Sequence, residues 1–281
     1  MPQQEHKDQQ GAIDIAPYRY ALCIEYQGAN YRGWQIQQDG VPSIQAALEK
    51  AISKVANHPV SVVCAGRTDA CVNATYQIVH FDSTAVRSER AWVLGTNTHL
   101  PDDVSVRWAK PVSESFHARF GATARRYRYL IYSSPVKPAL LAKGVTWTYK
   151  TLDVERMHQA GQCLVGEHNF NAYRAVNCQA HSPVRTVKHL NVYKTGDLIV
   201  IDVRANAFLH HMIRNFAGVL MSIGAGEADI GWAQEVLDSQ DRRQGGVTAP
   251  PYGLYFVDVT YPDEFELPPS DIGPFFLSGS C

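Results

Sequence analysis

The stretch VSVVCAGRTDACVNATYQIVHF, residues 60–81, reads as two strands bracketing a loop. Val60–Ala65 and Gln77–Phe81 carry apolar and β-branched residues that suit a pleated surface. Gly66, Arg67 and Asp69 fall in the loop between them, where Gly66 permits a tight or unusual turn. Upstream, Tyr18, Tyr20, Leu22, Ile24 and Tyr26 alternate with smaller or charged residues, the period of a strand. A turn with Gly28 and Gly33 follows, leaving Trp34 exposed or half-buried. Ile44, Leu48, Ala51, Ile52 and Val55 then recur at helical spacing behind Ser43, a candidate N-cap. Downstream, a helix from Glu89 to about Asn97 precedes an alternating strand on Val104, Val106 and Trp108. The first half therefore runs strand, helix, strand, loop, strand, helix, strand.

The second half repeats this theme loosely. Ala122–Tyr132 reads as a strand and Leu152–Leu164 as a helix. Val184–Lys194 and Asp197–Ala205 form a hairpin closed by Thr195-Gly196. Leu209–Ile223 is an amphipathic helix, Gly231–Ser239 a shorter one, and Gly253–Tyr261 a last strand. This order predicts an α+β protein of two similar halves, 17–112 and 113–262, on an extended sheet, with a cleft between them as the natural substrate site. Residues 1–16 read as a disordered tail. Residues 263–281 read as a loose Pro-rich tail on which Phe275 and Phe276 could dock.

Bulk properties exclude several classes. Of 281 residues, 45% are hydrophobic and 19% charged, which argues for a folded chain. The formal net charge is −1, so any polyanion-binding surface has to be a local patch. The six cysteines at 23, 64, 71, 163, 178 and 281 show no C-x-x-C pair and read as reduced thiols, with no metal site. The polar N-terminus carries no apolar signal core, and no run is long enough to span a bilayer, so a cytoplasmic protein is expected.

Three segments could carry chemistry. Arg67 and Asp69 sit on a loop between strands, where catalytic groups concentrate, although a lone loop aspartate is usually a turn former. The second segment is basic and aromatic: Phe116-His117-Ala118-Arg119-Phe120, then Arg125-Arg126-Tyr127-Arg128-Tyr129. Strand alternation puts Arg126 and Arg128 on one face and Arg125, Tyr127 and Tyr129 on the other. Arginines that hold phosphates beside a stacking aromatic grip unpaired RNA; a solvated face with ion pairs is the plainer alternative. The third is His210-His211-Met212-Ile213-Arg214-Asn215. Neighbouring histidines on a helix point about 100° apart, which makes them poor joint metal ligands. Arg214 is either half-buried with an acidic partner or reaching to solvent. Phosphate-loop, dinucleotide, serine-elbow, zinc-protease and deaminase patterns are all missing.

Together these segments resemble the bacterial tRNA pseudouridine synthase A family. The matching blocks are EYQG (25–28), GWQ (33–35), CAGRTDA (64–70), QIVHFD (77–82), FHARFGATARRYRY (116–129), FLHHMIRN (208–215) and PPYGLY (250–255). The resemblance runs from about residue 18 to 262 and implies the pseudouridine synthase fold: two ferredoxin-like, RNP-like halves sharing an extended, mainly antiparallel sheet with a central cleft. It implies isomerisation of uridine to pseudouridine at positions 38, 39 and 40 of the tRNA anticodon stem-loop, by a homodimer with no cofactor.

By the same resemblance, Asp69 is the catalytic aspartate, acting by attack at C1′, attack at C6 or removal of a ribose proton. Arg214 pairs with it, Arg67 assists base flipping, Tyr127 stacks on the target base and Leu254 forms an apolar wall. Arg87, Phe116, His117, Arg119, Phe120 and Arg126 are implied tRNA contacts. The family usually reads GRTDAGVHATGQV where this chain reads GRTDACVNATYQI, so Cys71, Asn73 and Tyr76 depart from it. A glycine at position 71 would suit a positive φ or a close RNA approach. These departures motivate the alternative of a tRNA-binding chaperone with weakened or lost catalysis.

Overall fold

Alternation along Tyr18–Tyr26 does produce a strand, β1, in a computed structural model that describes residues 18–277. The expected tail 1–16 lies outside the described residues. α1 (Ile44–Ala56) follows, capped by the Ser43 hydroxyl, which accepts from the Ala46 N–H at 3.3 Å. β2 (Val63–Cys64), β3 (Asn73–Ser83), α2 (Glu89–His99) and β4 (Val104–Val112) complete the first half. The second half holds β5 (Ala124–Ser133), β6 (Thr146–Thr148), α3 (Val154–Gly161), β7 (Gly166–Asn169), β8 (Val184–Thr195) and β9 (Leu198–Ala205). It ends with α4 (Met212–Gly224), α5 (Trp232–Ser239) and β10 (Leu254–Thr260).

Among the described residues the ten strands form one sheet with the path β4-β1-β3-β10-β5-β9-β8-β7, β2 pairing with β3 and β6 with β5. The order β4-β1-β3-β2 recurs as β10-β5-β9-β8, so each half is a β-α-β-β-α-β unit of one topology. The halves join where β10 pairs in parallel with the start of β3, Tyr255 opposite Asn73 and Phe256 opposite Ala74. Further along the same edge, β2 takes over, with Val63 opposite His80. The sheet is therefore split between β2 and β10, and the connection 65–72 emerges at that split.

Several boundaries move from the sequence reading. Only Val63 and Cys64 of the 60–65 segment pair as strand, while β3 starts at Asn73, before Gln77. The β8–β9 loop is Gly196-Asp197, since Thr195 faces Leu198 across the ladder. Leu152–Leu164 shortens to α3 plus one tight turn at Gln162–Leu164, and β6 and β7 were not expected. Trp34 is neither exposed nor half-buried: it is 2% exposed, packed on Tyr26.

The helices cover one face of the sheet. Ile44, Leu48, Ala51 and Ile52 of α1 are buried, and Tyr20, Phe81 and Trp92 form an aromatic cluster beneath α2. On the opposite face Asp202, 1% exposed, collects Arg126, Arg128 and His189 at 2.7–3.0 Å. Burial works against its charge, but the donated hydrogen bonds outweigh that and hold its carboxyl well below the usual range.

The C-terminal segment is no loose tail over its described part. Residues 263–277 run across this second face, where the Tyr76 hydroxyl donates to the Pro268 carbonyl. Ser270 Oγ donates to the Val257 carbonyl at 2.7 Å and Arg128 Nη1 to the Gly273 carbonyl at 3.1 Å. Phe276 packs on Tyr255, whereas Phe275 stays exposed.

His80 is buried, and its Nδ1 accepts the Ala118 N–H at 3.1 Å, so the ring has to stay neutral at that atom. Burial pushes its pKa down to about 4, helped by nearby Arg19 and His117. The unfolded chain binds this proton below about pH 6.5, the folded chain only near 4. Stability from this group is complete above about pH 6.5 and decreases as pH falls, by about 2 kcal/mol at pH ~5. Urea unfolding of His80→Asn, which keeps an acceptor, is expected to lose that slope; an unchanged slope assigns it to other groups.

Candidate active site

Connection 65–72 is clamped from beneath. Gln77 is fully buried; its Nε2 donates to the Gly66 carbonyl at 2.6 Å and its Oε1 accepts the Gly66 N–H at 3.4 Å. Tyr26 and Thr68 hydroxyls bond at 2.8 Å, and the Trp34 N–H donates to the Thr68 carbonyl at 3.0 Å. Gly28 and Gly33 explain their own identity: a Cβ would meet the Val72 carbonyl oxygen at 2.0 Å or, at Gly33 with φ +100°, the Thr68 oxygen at 2.8 Å. Gly66 has no such need, since a Cβ there meets only ring atoms and a hydroxyl at 3.5 Å or more.

The three departures from the family pattern separate by position. Cys71 takes φ +65°, the left-handed conformation expected for the glycine it replaces, and lines the cleft. Asn73 is buried, accepts from the Gly28 N–H and donates to the Tyr252 carbonyl, both at 2.9 Å. It thus ties the first half to the approach of β10. Tyr76 packs on Trp108 beneath the C-terminal segment.

The opposite wall is the start of α4. His211 adopts φ +62° at the N-cap, so the doublet is not helical and the helix begins at Met212. That corrects the argument that the two rings point apart: their centroids lie 4.0 Å from each other. His210 Nε2 stands 3.3 Å from Asp69 Oδ1, His211 Nε2 3.5 Å from Oδ2 and Arg214 Nη1 3.6 Å from Oδ2. Arg214 is half-buried and its Nε donates to the Ala249 carbonyl at 2.8 Å. Burial lowers the His211 pKa; Asp69 opposes this shift, and Arg214 and His210 add to it. Asp69, His210 and His211 are also the side chains whose ligand atoms, within 4.8 Å of one another, could hold a metal ion.

Between the walls lies a cleft of about 1390 Å³. It exceeds the range of about 300–1,000 Å³ of small-molecule pockets. Six arginines line it (32, 67, 119, 125, 185 and 214), and Asp69 is its one carboxylate among the described residues. In a chain of net charge −1 this is the local positive patch that a polyanion requires. Tyr127 lies in the floor, stacked on Phe256 at 4.6 Å, and Leu254 is buried beside it. Arg67 and Arg119 are exposed at the rim. Arg125, left out of the expected site, gives its four hydrogen bonds to the carbonyls of Ala65, Arg119, Ala122 and Asn206.

Three expected RNA contacts fall elsewhere. Phe116 is fully buried against Tyr261 and Phe265, so it anchors the 116–120 turn and presents nothing to a ligand. Arg126 points to the other face of the sheet, bonded to Asp202. Arg87 lies on the loop before α2 and does not line the cleft. In the same 116–120 turn, His117 Nδ1 accepts the Arg119 and Phe120 N–H groups. That turn thrusts out Phe120, which is 77% exposed under the Arg119 guanidinium. The missed histidines had a visible signal, the doublet itself, but the left-handed turn that aims it left no mark in composition or spacing.

A family profile described as tRNA pseudouridine synthase matches residues 22–121 and 160–262. A Pseudomonas aeruginosa protein called tRNA pseudouridine synthase A is 61% identical over 261 residues, covering 93% of this chain and 92% of its own. Proteins of that name from Alcanivorax borkumensis and Pseudoalteromonas atlantica are 55% and 56% identical, each over 92% of this chain and 97% and 98% of theirs. Among solved structures, an archaeal box H/ACA sRNP Nop10-Cbf5 complex aligns at a TM-score of 0.33 and 10% identity over 72% of this chain and 43% of that one, too distant to carry any argument.

Cys71→Gly relieves a left-handed residue at a cost of extra freedom in the unfolded chain. A net gain of about 1 kcal/mol, read as a Tm increase of ~2–4 °C by calorimetry, is expected. A lower Tm assigns compensating value to the thiol contact with the Ala29 carbonyl at 3.8 Å.

Proposed function

The chain belongs to the tRNA pseudouridine synthase family, RNA isomerases that convert uridine to pseudouridine in tRNA, and we propose that it does so with Asp69 as its catalytic carboxylate at positions 38, 39 and 40 of the anticodon stem-loop. The observation that carries the assignment of Asp69 is its place, among the described residues, as the one carboxylate in a cleft that six arginines and three histidines also line. The reaction breaks the N1–C1′ bond, turns the uracil and joins C5 to C1′; the C5 proton is lost and N1 gains one, so composition is unchanged. Attack at C1′, attack at C6 and removal of a ribose proton all call for an ionised carboxylate beside the sugar. Arg214, at 3.6 Å, supplies an opposite charge that orients it.

A base inside a stem has to leave the stack to reach Asp69. The exposed Arg67 at the rim takes the displaced position or its phosphate, while the Tyr127 ring and Leu254 offer the flat and apolar surfaces that receive the base. Arg119 and Phe120 give a guanidinium and an aromatic face for flanking nucleotides. The chaperone alternative gains no support: Asn73 and Tyr76 are satisfied away from the cleft, and Cys71 adopts the backbone its position requires. Homodimerisation and a cytoplasmic site of action are proposed on the family resemblance, and sedimentation analysis tests the former.

Incubating the protein with unmodified tRNA and mapping carbodiimide-reactive pseudouridines is expected to mark the anticodon arm. Asp69→Asn is expected to abolish product while tRNA binding stays within about tenfold, roughly 1.4 kcal/mol. Appreciable turnover by that variant removes Asp69 from the chemistry. Arg214→Met is expected to lower turnover strongly, and an unchanged rate takes Arg214 out of the site.

A further inference from the structure

The His210-His211 doublet has no part in the isomerisation as described, although both rings face its carboxylate. His210 Nδ1 lies 3.2 Å from Asn177 Oδ1 and its Nε2 lies 3.3 Å from Asp69 Oδ1, so the amide holds the ring with Nε2 toward the carboxylate. Ligating histidines are ordinarily fixed this way, by a hydrogen bond from the other ring nitrogen.

The donor set suits a particular class of ion. A tetrahedral Zn²⁺ with bonds of about 2.0–2.1 Å sets its ligand atoms about 3.3–3.4 Å apart. His210 Nε2 lies 3.3 Å from Oδ1 and His211 Nε2 3.5 Å from Oδ2, and the three candidate ligand atoms all lie within 4.8 Å of one another, close enough for small side-chain adjustments to gather them on one ion. Two imidazoles and a carboxylate, with solvent at the fourth position, form a donor set that zinc accepts and that harder ions such as Mg²⁺ do not prefer. All three groups are partly exposed to the cleft, so an ion has a way in. Arg214 stands across the carboxylate with its Nε held by the Ala249 carbonyl, and its charge weakens the hold on a cation.

We propose that Asp69, His210 and His211 form a capture site for a zinc-class transition-metal ion, and that its occupation switches off the synthase by engaging the reacting carboxylate. The ion is an inhibitor, bound reversibly, not a cofactor. The inhibitory part rests on Asp69 being the catalytic group; the binding part does not.

Calorimetric titration of the chelator-treated full chain with zinc chloride is expected to show one saturable site. His210→Asn and His211→Asn are each expected to weaken it at least about tenfold, since loss even of an outer-shell partner costs about that much in metal affinity. Both positions are partly exposed, and circular dichroism confirms that the variants fold. Cobalt(II) in place of zinc is expected to give intense visible absorption from a low-coordinate nitrogen–oxygen site in the wild type alone. Turnover is expected to fall in step with occupancy and to return with EDTA. No saturable binding, or equal affinity in wild type and both variants, overturns the site. Binding that depends on both histidines while turnover continues at full occupancy leaves the site standing and overturns the role of Asp69.

Discussion

Asp69 enters the cleft from the first half of the molecule, and the three side chains that face it enter from the second. Every element near the cleft serves to hold that spacing of 3.3–3.6 Å across a joint between two folding units. A loop alone could not do so. Gln77, Tyr26 and Trp34 fix the backbone of one side, and the parallel pairing of β10 with β3 fixes the other side relative to it. Asn73 closes the arrangement, because one buried amide bridges the two sides.

Two residues other than glycine take left-handed conformations on facing walls, Cys71 and His211. Such residues cost of order 1–3 kcal/mol each and persist where surrounding structure over-determines them. At His211 the return is directional: the turn aims two imidazoles at one carboxylate and starts α4 one residue later. At Cys71 the same backbone was set by the loop, whose N–H at that residue donates to the Tyr31 carbonyl, and the side chain merely tolerates it.

Much of this was legible in the residues. Alternation named β1 and β4, the Ser43 cap dated the start of α1, and the α4 stripe was plain, because each signal is local. What failed depended on distant partners. Trp34 looked exposed because its burial comes from packing against Tyr26, and Phe116 looked like a ligand contact because its neighbours Tyr261 and Phe265 lie far along the chain. Arg126 and Arg125 differ by one position and hence by one face of the sheet; alternation separated them correctly, but not which face opened on the cleft. The doublet was misjudged for the opposite reason, a sound rule of helix geometry applied to a residue that is not helical.

β10 follows the other nine strands along the described chain, yet it occupies the middle of the sheet, with β3 on one edge and β5 on the other. A chain without β10 therefore leaves the start of β3 and the first part of β5 unpaired on one edge, while β2 and β6 cover only the far stretches. Unpaired edges invite pairing with other chains, so an incomplete copy is a hazard for aggregation rather than a weak enzyme. The strand that joins the halves is also the one that creates the cleft, so a copy without β10 has neither.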